Sequence, residues 1–108
     1  MAYDEALADR VRARLDDEPG VTERKMFGGI AWMLEGNMAV GLISTGLLVR
    51  LGPGADAAAG EPHASVPMMG TRPMRGFVVI APKGVETEEQ LGAWIAQGCD
   101  VARSLPPK

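Results

Sequence analysis

Residues 30–51 read IAWMLEGNMAVGLISTGLLVRL, and this stretch decides the fold. Three short apolar runs stand in it, Ile30 to Leu34, Met38 to Ile43 and Leu47 to Leu51, and glycine punctuates them in the manner of strands. Between the runs lie only Glu35-Gly36-Asn37 and Ser44-Thr45-Gly46. Parallel neighbours need much longer crossovers, so consecutive runs must pair antiparallel as a meander. Upstream, Lys25-Met26-Phe27 adds a further run, and Gly28-Gly29 reads as a bulge or bend rather than a strand end.

Outward from the meander the period changes. Tyr3, Leu7, Val11 and Leu15 recur every fourth residue, while Asp9, Arg10, Arg12, Arg14 and Asp16 fall on other faces, which predicts an amphipathic helix from Tyr3 to Asp17. Glu18-Pro19-Gly20 ends it, because proline disfavours the α conformation at the residue before it. On the far side, Gly52-Pro53-Gly54 closes the meander and Ala55 to Gly60 predicts a short helix. Gly76 to Ala81 is the most continuous β-prone run and predicts a central strand buried on both faces. Thr87 and Gln90 form a capping-box pair ahead of the stripe Leu91, Trp94, Ile95, Gly98, Ala102 and Leu105, so a last helix runs from there to Pro106-Pro107. The expected fold is α+β: an antiparallel sheet of about four to five strands, flanked by an N-terminal and a C-terminal helix, in a single domain over residues 1–108.

Bulk composition excludes several functions. With 11 Lys and Arg against 14 Asp and Glu the net charge is −3, so no global field draws the chain to phosphate backbones, and direct nucleic-acid binding is disfavoured. Cys99 is the sole cysteine and His63 the sole histidine. Neither a disulfide, a thiolate metal cluster nor a nucleophile–base pair can be assembled from them, so no catalytic residues, metal or cofactor are expected. Phosphate-cradling glycine loops are absent, as are a basic-then-apolar leader and any run near the ~20 apolar residues of a membrane span. The expected location is cytoplasmic, away from the membrane.

Two residue groups stand out as site candidates. Lys25, Arg50, Arg72 and Arg75 interrupt apolar segments in the part of the chain poorest in acid, and arginine there can grip a carboxylate or phosphate bidentately. The competing explanation makes them solvated strand ends or partners of Glu23 and Glu35. Among the methionines, Met26, Met33 and Met38 read as core, whereas Met68, Met69 and Met74 sit in irregular chain and read as interface. An open antiparallel sheet leaves edges to be paired. The expectation is therefore a homodimer built on Met68, Met69, Met74 and the strand bearing Met38, Val40 and Leu42.

The ordered set Lys25-Met26-Phe27-Gly28-Gly29, Gly36-Asn37-Met38, Leu48-Val49-Arg50-Leu51-Gly52 and Arg72-Pro73-Met74-Arg75-Gly76-Phe77-Val78 resembles the TfoX N-terminal domain family, whose founding members are the TfoX/Sxy competence regulators. The likeness runs from Tyr3 to Lys108. It implies an α+β domain with an antiparallel sheet between helices, similar to the secretion-chaperone-like folds. It further implies a protein partner in transcriptional regulation of DNA uptake, and it supplies no catalytic residues. Full-length regulators of this type carry an additional C-terminal helical domain, so the expectation is a stand-alone N-terminal module.

Overall fold

The computed structural model describes residues 3–26 and 28–107, with Met69 described by its backbone alone. Phe27 and the Met69 side chain, both singled out in the sequence, lie outside the described residues. Helix α1 spans Glu5–Leu15 and begins at Asp4, whose carboxylate accepts the backbone N–H groups of Ala6 and Leu7. Those two donors would otherwise be orphaned at the helix start. Its buried residues Leu7, Ala8, Val11 and Leu15 follow the fourfold spacing.

Four strands then run as the antiparallel meander: β1 Val21–Met26, β2 Gly29–Leu34, β3 Asn37–Ile43 and β4 Gly46–Arg50. The β2–β3 turn places Glu35 at φ 50 and Gly36 at φ 87, the paired positive angles whose twist matches the flanking strands. A register shift lies between Trp32 and Met33, leaving Ala39 as the extra residue of β3.

After a 3₁₀ turn at Gly52–Gly54 come the short α2 (Ala55–Ala58), β5 (Ala64–Ser65), the hairpin of β6 (Met68–Met69) with β7 (Arg72–Pro73), and β8 (Phe77–Ile80). A second 3₁₀ turn, Pro82–Val85, leads to α3, Glu88–Arg103. Both bonds of the Thr87–Gln90 capping box are made.

The main sheet has the order β1-β2-β3-β4-β8-β5 and is antiparallel throughout. It has six strands because the two-residue β5 completes it, and so short a strand carries no periodicity to read. The same pairing puts β8 one strand from the edge instead of at the centre, although Val78, Val79 and Ile80 are buried as expected.

In sequence the sheet lies between the helices; in space α1 and α3 share one face. Leu7, Val11, Leu15, Leu91, Ile95 and Cys99 join Ile30, Trp32, Val40, Leu42, Leu47, Val49 and Ile80 in a single apolar cluster. The approach is close at Gly98, where a Cβ would stand 2.5 Å from the Ala39 carbonyl oxygen. Asn37 is the buried polar residue of this region, 2% exposed, and its amide donates to the Pro106 carbonyl oxygen.

Candidate functional site

A strand that is apolar at every position belongs to a sheet covered on both sides, whereas a solvated face demands alternation with polar residues. All six residues of β2 are buried, as are six of the seven in β3. Yet the helices cover one side only. On the other side Ala31, Met33, Met38, Leu48 and Val79 form a separate cluster, against which Met26, Ile43, Met74 and Phe77 pack half-buried. No residue of α1, α2 or α3 belongs to it. This second face is roofed by its own long side chains, chiefly methionine, which is unbranched and polarizable and therefore repacks easily.

Strand register fixes which charges share that face. Arg24 stands opposite Ala31, which stands opposite Gly41, then Leu48, then Val79. Lys25 instead belongs to the row of Ile30, Leu42, Leu47 and Ile80, on the helix side. Arg50 pairs with Phe77, and its guanidinium carbon lies 5.0 Å from the centroid of that ring. Such a stacked cation is attracted by the ring quadrupole. The Arg50 Nε is shielded from solvent and has no hydrogen-bond partner, and burial pushes this guanidinium below its ordinary pKa. The group stays cationic, since arginine does not give up its proton in proteins.

The arginines of the helix side are in a different condition. Arg12 holds Glu23 through two bonds, Nε to Oε1 at 2.7 Å and a terminal nitrogen to Oε2 at 3.1 Å, and the Trp32 indole donates to the same carboxylate at 2.9 Å. These donors hold Glu23 below the usual carboxylate range, Arg12 foremost. Arg10 and Arg14 reach Glu88, and Arg103 reaches Glu18. Among the described residues no ion pair includes Arg24, Lys25, Arg50, Arg72 or Arg75.

The sequence candidates therefore separate. Arg50 and Arg75 fall at the same end of the sheet: Arg75 lines a concavity with Gly52, Pro53, Val66, Met74 and Asp56, next to the bonds from Leu51 and Gly52 to the Gly76 carbonyl. Arg72 is exposed on β7, and Lys25 lies across the sheet on the opposite side. Arg24 was missed; only its parity relative to Glu23 and Trp32 reveals it.

Of the interface candidates, Met38 and Met74 join the second face, and Met68 is 55% exposed beside Val66 at 46%. Val40 and Leu42 are instead 0% and 1% exposed beneath the helices. Strand β3 is already paired with β2 and β4, so its backbone has no free edge for a symmetry mate. The long free edge belongs to β1, and it carries Glu23, Arg24 and Lys25.

Other chemistry is sparse. His63 sits exposed in a turn at φ 68 and offers its carbonyl to Ala81 N–H. Burial pushes the Cys99 thiol up to about 11, the condition of an inert core thiol. Among the described residues no three of His, Cys, Asp and Glu are grouped to hold a metal ion, and no helix is long and apolar enough to cross a membrane.

None of the curated proteins and none of the solved structures matches the chain significantly. The family model of the TfoX N-terminal domain matches residues 13–102, which include every strand, the last turn of α1 and nearly all of α3. The chain belongs to the TfoX N-terminal domain family.

Proposed function

We propose that this chain is a regulatory protein-interaction module that holds another polypeptide on the second face of its sheet, acting in the cytoplasm in the service of transcriptional control. The observation that carries the reading is β2: a strand apolar on both sides, in a sheet with helices on one side only. Apolar sheet faces are stable when a second layer covers them, and a methionine surface suits a partner to which it must adapt. Among the described residues no three of His, Cys, Asp and Glu are grouped to hold a metal ion, and His63 is exposed while Cys99 is a buried thiol, which gives binding the better support.

The test is site-specific photocrosslinking in cells. A benzophenone side chain replaces Met74 or Ile43 on the second face, and Gln97 on the exposed side of α3 serves as control. Adducts to a protein from Met74 and Ile43 but not from Gln97 support the reading. No adduct, or equal adducts from all three positions, overturns it. An adduct of twice 11.4 kDa identifies the partner as a second copy, the homodimer expected above.

A second reading has one observation in its favour. The shielded, unpartnered Nε of Arg50 suits a small anion, and titration with inorganic phosphate monitored by the NMR shifts of Arg50 and Phe77 tests it.

A further inference from the structure

Charge on this molecule is divided by the sheet. Strands β2, β3, β4 and β8 contain no Asp or Glu, and the one acid of β1, Glu23, faces the helices, where Arg12 and Trp32 hold it. Arg10, Arg12, Arg14 and Arg103 all have carboxylate partners on the helix side. The second face has the reverse composition: Arg24 and Arg50 stand on it, Arg75 at its end, and Asp56 is the one acid lining the adjoining concavity. A chain of net charge −3 thus places two cations without ion-pair partners among the described residues, Arg24 and Arg50, on its one apolar face without a helix.

We propose that this face takes an acidic, apolar segment of a different protein. Its carboxylates pair with Arg50 and Arg75, and its apolar side chains lie against the half-buried Met26, Ile43, Met74 and Phe77. The inference rests on the interaction-module reading and specifies the partner's chemistry. A guanidinium already stacked on a ring, with its Nε shielded from water, offers a preorganised site for a carboxylate, and the pair gains strength from that partial shielding. A second copy of this chain is the wrong occupant, because it would set Arg24 and Arg50 against their own kind, and like charges across an interface oppose association. The partner must therefore bring acid that this face lacks.

Fluorescence anisotropy with the full chain tests the proposal, using a short labelled peptide of Glu, Leu and Ala and its counterpart with Gln in place of Glu. The expected result is binding of the Glu peptide at low salt that weakens steeply as salt rises, with the Gln peptide at least about tenfold weaker, the loss of one charge-assisted bond. Arg50→Met should weaken the Glu peptide by a similar factor, and exposed Arg75→Gln should weaken it less without affecting folding. Absence of binding at low salt, equal binding of both peptides, or no effect of either variant overturns the proposal. Displacement of the Glu peptide by millimolar inorganic phosphate also overturns it, by assigning the arginines to a free anion. Crosslinks from Met74 and Ile43 without any acid preference would sink this inference and leave the interaction module standing.

Discussion

The two faces of the sheet are built from the same strands and differ in what finishes them. On the helix side, large aliphatic residues and Trp32 meet α1 and α3 at close range, and every arginine along the rim is bound to a carboxylate. On the other side, methionines fold over small residues such as Ala31 and Gly41, and among the described residues Arg24 and Arg50 are in no ion pair. One face is covered by helices and the other only by side chains. Stability should therefore reside in the first face, and recognition in the second.

Substitution tests that division most strongly in the core. Leu91→Ala, at a wholly buried position in the first turn of α3, should cost ~3–4 kcal/mol, because a cavity between helix and sheet cannot collapse. Met38→Ala on the other face should cost roughly half as much, since neighbouring methionines can close over the gap. Urea midpoints measure both, and equal losses would break the comparison.

Gly98→Ala comes next. A methyl group 2.5 Å from the Ala39 carbonyl oxygen must push α3 away from the sheet, at a net cost of about 1–2 kcal/mol once the better helix propensity of alanine is credited. A midpoint equal to the parent's would mean that the helix layer is looser than its geometry implies.

The acid limb of stability sharpens the contrast at the rim. The Glu23 carboxyl is held low by Arg12 and Trp32. A depressed folded-state pKa contributes stability that is present above the unfolded carboxylate value and lost as pH falls through the folded one. Glu23→Gln should be less stable than the parent at neutral pH, and the two should converge in acid. Because the pair is partly exposed, the gap should be small and should shrink with salt. A gap that widens in acid would reverse the assignment.

Arg50→Met should change stability least, within about 1 kcal/mol, because losing the stacked cation offsets removing a shielded, unpartnered nitrogen. A large destabilisation would mean that Arg50 serves the fold.

Much of this architecture was legible in the sequence. The spacing of Leu7, Val11 and Leu15, the Thr87–Gln90 box and the two short connections around β3 each depend on neighbours a few residues apart, and each is found as read. The faces were not legible. Six consecutive buried residues in β2 carry no alternation to say which side meets a helix, and the shift at Trp32 and Met33 moves Ala39 out of phase. The choice between Arg24 and Lys25 needed that register. The pairing of Arg50 with Phe77 joins strands separated by α2 and the hairpin, so nothing local announces it.

That same separation has a kinetic consequence. Strands β1 to β4 are joined by turns of a few residues, so each hairpin closes at little entropic cost. The β4–β8 pairing must wait for a much longer loop, and α3 follows β8 in the chain. In a nascent chain, β1 to β4 are made before β8 and α3, and a meander formed at that stage has β1 and β4 both open at its edges. Such a species is prone to join its neighbours. The charged row Glu23, Arg24 and Lys25 on β1 protects one of those edges, and Arg50 at the end of β4 puts a cation on the other until β8 arrives to cover it.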